Sequence, residues 1–293
     1  MGAVERARTP GRGFTMVELM VVIAIIGILV ALLVGAVGPA IAMATNIQCQ
    51  SNLTNIAKAV LSYTTDYKGS IPPTKYAGQS GLYWCNFLVR GNYLTADNTS
   101  NAQDDTPSST ASVLRCPAEI GVMVKESDDI DLPADFSGSD KAQGVTRLGS
   151  SQFKVDCSYY WNGYAGNTTG QPEQGANSLT ARFPSCVVDP AATPDKKAQV
   201  VHDISEVRSR STSPMVMDGV LFAKDITTNR GRIAARHRGD AGDHTQTNIA
   251  FYDGHVEGTQ RMPGDDKKFR DDAIQSSTNF EKPGGYDFLL PKR

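Results

Sequence analysis

Apolar and polar positions are spread very unevenly along this chain. From Leu19 to Ala44 it reads LMVVIAIIGILVALLVGAVGPAIAMA, 26 residues without a charge. At 1.5 Å rise per residue, a helix of about 20 residues crosses a bilayer core, so this run is long enough. Beyond Ala44 the pattern changes rather than stops. Leu53, Ile56, Val60, Tyr63 and Tyr67 recur at steps of three and four, with Ser51, Asn52, Thr54, Asn55, Lys58 and Thr65 around them. A single apolar stripe at the 3.6-residue period predicts an amphipathic helix. Gly69 and Pro72-Pro73 end it. The spacing therefore predicts one helix over about 16–66, apolar all round in its first half and one-sided in its second.

The rest of the chain is long enough for one sizeable core. Residues 81–90 predict a short helix closed by Gly91-Asn92, with Trp84, Phe87 and Leu88 on one face and Trp84 in the core. Residues 96–112 and 126–149 are polar, the second strongly acidic, and carry no periodicity, which predicts exposed loops. Residues 151–164 have strand character with the aromatics Tyr159, Tyr160, Trp161 and Tyr164. A loop over 167–177 follows, and Val187-Val188 and 198–204 predict further short strands. Met215–Gly219 and Asn248–Val256 are apolar runs that meet an Asp-Gly turn, and the second predicts a hairpin. The expected fold is α+β: a long N-terminal helix packed on a small antiparallel sheet with long loops. The expected organisation is a leader over 1–13, a helix over 14–68 and a globular head over 69–293.

Composition changes this picture little. With 29 Lys+Arg against 31 Asp+Glu the net charge is -2. No basic excess offers a nucleic-acid surface, and none is expected as a partner. The charges nearest the apolar run matter more. Arg6, Arg8 and Arg12 precede it, the flank that stays cytoplasmic while the bulk of the chain is translocated. The run is too long for a cleaved secretory signal, whose apolar core has 7–15 residues. A plain signal anchor fits the composition but leaves Glu18 unexplained, because a carboxylate at the edge of a membrane helix needs a partner.

The stretch Gly13-Phe14-Thr15-Met16-Val17-Glu18-Leu19 resembles the N-terminal signal of type IV prepilins and type II secretion pseudopilins. The resemblance implies cleavage after Gly13 by a prepilin peptidase that also N-methylates Phe14. It implies that Glu18 pairs with the N-terminal amine of a neighbouring subunit during assembly. That pairing neutralises two charges where either alone is costly. It further implies other pilin-like subunits, an inner-membrane assembly platform and membrane lipid as partners, and a single-pass inner-membrane location with the head in the periplasm or on the cell surface. The stretch 52–73, with a Tyr near the helix end, a Gly turn and then Pro, is similar to the same family. Near the C-terminus, 235–239 and 248–256 resemble the two halves of a processing-associated domain named for His, nine residues, then Asp-Gly. Here fifteen residues separate His237 from Asp253, and eight separate His244 from Asp253.

Five cysteines lie at 49, 85, 116, 157 and 186, with no CxxC pair. The implied orientation puts them where disulfides form. Cys49, on the helix near the membrane, is expected to be the odd one out. Cys85, Cys116, Cys157 and Cys186 then allow three pairings, with buried free thiols as the alternative. His237, Asp240, Asp243, His244 and Asp253 form a candidate metal cluster, and the three aspartates also offer oxygens for calcium. No spacing fixes two ligands on one helix face. The preferred reading therefore has no cofactor: His237 and His255 donate hydrogen bonds within a hairpin core and Asp253 caps its turn. No GxSxG or phosphate loop is present, and the chain is expected not to be an enzyme. Two rivals to a filament subunit remain: an anchored extracytoplasmic binding protein, and a metal-dependent envelope enzyme using His237, His244 and Asp253.

Overall fold

The computed structural model describes residues 14–76, 82–96, 112–119, 123–124, 145–149, 153–163, 187–188, 202–219, 236–238 and 244–259. Gly13, Cys186, Asp240, Asp243 and the expected strand over 198–201 lie outside them.

The first element, α1, is one helix of 51 residues, Met16–Asp66, with Pro39 inside it. Its start is built from its own sequence. Thr15 stands at the N-cap, where its Oγ1 accepts from the Glu18 N–H at 3.2 Å, while the Glu18 carboxylate accepts from the Thr15 N–H at 2.8 Å. This reciprocal Thr-x-x-Glu box satisfies two amides that a helix start otherwise leaves open.

The chain divides into two compact units, 1–43 and 44–293. In the first, the described residues are helix whose large apolar side chains, Leu19 to Met43, are exposed, and none of its most apolar 18-residue window is buried. That helix is long and apolar enough to cross a membrane. In the second unit the same helix buries Cys49, Leu53, Ile56, Val60 and Tyr63. The stripe is thus shifted one step toward the N-terminus from the expected one. Tyr67 is 52% exposed and stacks on Tyr63 with ring centroids 4.2 Å apart. The helix ends where Lys68 (φ 54°) and Gly69 (φ 91°) turn left-handed and the Gly69 N–H donates to the Thr64 carbonyl at 2.7 Å.

The remaining elements are short. In chain order they are β1 (Lys75–Tyr76), β2 (Leu82–Tyr83), α2 (Trp84–Arg90), β3 (Met123–Val124), β4 (Val145–Gly149), β5 (Lys154–Cys157) and β6 (Tyr159–Trp161). Then follow β7 (Val187–Val188), β8 (Pro214–Asp218), β9 (His237–Arg238), β10 (His244–Phe251) and β11 (Val256–Thr259). They form three sheets rather than one. The largest has the order β11-β10-β8-β6, antiparallel throughout, with β9 added to β10. The other two, β2-β1-β7 and β3-β4-β5, each contain one two-residue parallel pairing.

The expected strand over 151–164 is broken at Ser158. Its N–H leaves the ladder to meet the Leu114 carbonyl at 2.9 Å, so β5 and β6 serve different sheets. The hairpin at Asp253-Gly254 forms as expected between β10 and β11, with Gly254 at φ 92°. Residues 204–206 are a 3-10 turn rather than the end of a strand. Trp84 is fully buried on α2 and stacks on Trp161 of β6 at 5.0 Å. Within the 44–293 unit, one core joins the second half of α1, α2 and the large sheet.

Candidate functional site

Two places in the chain concentrate chemistry. The first is the helix start. Glu18 is exposed, and its Oε2 also accepts from the Thr15 hydroxyl at 2.9 Å. Within one chain its partner is therefore the cap. That role was readable from Thr15 and Glu18 three apart, although the resemblance drew attention only to an intersubunit one. Phe14 is exposed next to the cap.

The second place is buried in the head. Cys49 of α1, Cys116 of the turn at 112–119, Asp218 at the end of β8 and His237 of β9 converge there. One ligand atom from each lies within 4.8 Å of all the others, and all four residues are buried. The Cys49 thiol donates to Asp218 Oδ1 at 2.9 Å. Asp218 Oδ2 stands 3.2 Å from His237 Nε2 and accepts from the Asn248 N–H at 2.8 Å. His237 Nε2 is also 3.5 Å from Cys116 Sγ, and the Tyr159 hydroxyl is 3.5 Å from Cys49 Sγ.

The backbone holds these segments in place. Ser158, at the break between β5 and β6, accepts the Cys116 N–H on its hydroxyl at 2.5 Å. Its carbonyl accepts from Arg236 Nη1 at 2.6 Å and from the Gly219 N–H at 3.2 Å. Asn52 of α1 donates to the Arg115 carbonyl at 2.9 Å, and Asn46 and Gln50 bond to Asn248 of β10.

The electrostatics follow from packing these groups together. Burial pushes the Cys49 thiol up, and the neighbouring Cys116 and Asp218 add to it. Burial also pushes Cys116 up. The Cys49 thiol, the His237 imidazole and the Arg236 guanidinium outweigh that and bring it down to about 6. For His237 burial lowers the pKa, yet the bonds to Asp218 and Cys116 carry it to about 9. Asp218 stays below the usual carboxylate range, because His237, Arg236 and Cys49 together exceed the cost of its full burial.

This arrangement is not a nucleophile relay. In such a relay the base presents one ring nitrogen to the nucleophile and the other to the carboxylate. Here Cys116 and Asp218 both approach Nε2, while His237 Nδ1 has no hydrogen-bond partner among the described residues. Four donors from four segments point inward to one spot, which is the geometry of ligands.

The expected site residues fall out as follows. His237 is in the cluster. The Asp253 carboxylate bonds the His255 ring at 2.5 Å and accepts the His255 N–H at 3.1 Å; both residues are exposed in the hairpin turn and stand outside the cluster. His255 therefore stacks on Phe251 at 4.3 Å rather than joining the core. His244 pairs through its backbone with Arg238 across β9 and β10. Cys49, expected to stand alone near the membrane, is buried against the cluster, and Cys116 meets it there. Cys85 of α2 and Cys157 of β5 are buried, and the Cys157 thiol donates to the Tyr159 carbonyl at 3.5 Å; burial raises Cys85, and the neighbouring Cys157 adds to it. Cys49, Cys116 and Asp218 were not expected at a shared site, and two of them had a signal. Cys49 lies four residues before Leu53, on the buried stripe, and Asp218 ends an otherwise apolar strand.

A long helix, exposed and apolar in one part and buried in the other, together with small, mainly antiparallel sheets and loops, defines a pilin-like α+β architecture. The more particular relation rests on the N-terminus. Residues 10–34 match the family described as the prokaryotic N-terminal methylation motif, which supports a prepilin-like substrate of prepilin peptidase. No curated protein and no solved structure matches the chain.

Proposed function

We propose that this chain is a filament subunit of the type IV pilus or type II pseudopilus kind. Prepilin peptidase removes Met1–Gly13 and methylates the new amine of Phe14. The mature protein waits in the inner membrane as a single-pass protein with its head outside the cytoplasm. During assembly its apolar helix moves from lipid into the filament core, and the heads cover the outside. Glu18 exchanges its bond to the Thr15 cap for the amine of a neighbouring subunit. The observation that carries this reading is the methylation motif at 10–34, which runs into a helix whose large apolar side chains over 16–43 are exposed among the described residues. Burying that surface is favourable both in lipid and between helices.

Mass spectrometry of the N-terminus tests the processing. The expected species begins at N-methyl-Phe14, and an intact Met1 or a start near Thr45 would overturn the reading. Sedimentation tests the destination. A filament subunit pellets as fibres from sheared cells, whereas an anchored binding protein comes out with detergent as a monomer.

A further inference from the structure

The buried cluster in the head has no part in processing or in filament packing as proposed above. Its donor set is the reason to look further. Two thiols, an imidazole and a carboxylate are suitable ligands for zinc and poor ones for calcium, which takes six to eight oxygens. We propose that the head binds one zinc-type divalent cation through Cys49 Sγ, Cys116 Sγ, the Asp218 carboxylate and His237 Nε2.

Three observations carry the assignment. The first is geometry. Around tetrahedral zinc, with bonds of about 2.0–2.3 Å, neighbouring ligand atoms stand about 3.3–3.8 Å apart. Three of the contacts here are already 2.9, 3.2 and 3.5 Å, and no pair exceeds 4.8 Å. A small rotation of side chains closes the tetrahedron.

The second is charge. On binding a metal the two thiols give up their protons, and the two thiolates and the carboxylate then hold three negative charges among buried residues, which is costly without compensation. A divalent cation and the buried Arg236, held next to His237 by the Ser158 carbonyl, balance that charge. The third is the surrounding shell. The Asn248 N–H fixes Asp218 and the Tyr159 hydroxyl reaches Cys49. Such outer contacts orient metal ligands.

The site is closed on all sides by protein. A catalytic zinc keeps one position open to water or substrate, so this one is structural. It ties α1 to the 112–119 turn, to β8 and to β9, four segments far apart in the chain. The rival use of the same atoms is a Cys49–Cys116 disulfide, which an oxidising compartment permits. A disulfide leaves Asp218 and His237 facing each other with no function for their convergence.

The test uses the full-length protein, purified in detergent without added metal. Elemental analysis is expected to find one zinc per chain, retained through dialysis. Cobalt exchanged into the wild type is expected to show the absorption of a tetrahedral thiolate site. Cys116→Ser and His237→Ala are expected to lose the metal, while Cys85→Ser keeps it. Because a ligand variant can misfold, the wild type alone also reports. A strong chelator is expected to lower its unfolding midpoint. A wild-type chain that carries no zinc and takes up no cobalt would overturn the assignment, and so would a Cys49–Cys116 linked peptide in a non-reducing digest.

Discussion

At the residue scale, Glu18 carries two roles that a single substitution confuses. Its carboxylate closes the cap with Thr15, and its charge is available to an amine. Glutamine keeps the first role and loses the second. Glu18→Gln is therefore expected to insert and be processed normally but to leave no pelletable fibres. Glu18→Ala loses fibres as well and weakens the helix start, read as faster amide exchange over 16–19. Gly69 is a second informative residue. It sits at φ 91°, and a Cβ there would lie 2.1 Å from the Asp203 carboxylate. That carboxylate accepts the Ser205 N–H at 2.7 Å and starts the 3-10 turn. Gly69→Ala is expected to destabilise the head by about 1–3 kcal/mol, measured by urea unfolding, with no effect on cleavage of the leader.

At the scale of elements, α1 is two helices in one run of backbone. Leu53, fully buried, and Leu29, exposed, make the contrast measurable. Leu53→Ala is expected to cost the head about 2–5 kcal/mol, whereas Leu29→Ala leaves its unfolding midpoint unchanged. Both halves of this helix were legible in the sequence, because each is a local pattern: an uncharged run, then a stripe at steps of three and four. The Asp253-Gly254 hairpin was legible for the same reason, since turn chemistry is local. The sheet order was not. Ser158 breaks an aromatic run that reads as one strand, and only its bond to Leu114 shows why. As a set, the buried cluster was beyond sequence reading. Its members stand at 49, 116, 218 and 237, and no periodicity links a helix, a turn and two strands. His237 was singled out with its sequence neighbours, but topology gives it spatial neighbours instead.

At the scale of the whole molecule, the four cysteines among the described residues divide by location. Cys49 and Cys116 meet at the cluster, while Cys85 and Cys157 meet between α2 and β5. In an oxidising compartment the second pair is expected to link, closing a long loop and stabilising the head by about 4 kcal/mol. A non-reducing peptide map is expected to show that link, and Cys157→Ser to lower the midpoint of unfolding. The cluster has a different consequence, one of mechanics. Cys49 is the first buried residue of α1 after the exposed apolar stretch. A filament that is pushed or pulled loads its subunits along that helix. The load then enters the head at a joint where four segments meet, and it is shared among them at once. With the proposed metal in place such a joint is expected to resist in shear, so that the helix does not peel from the head one turn at a time.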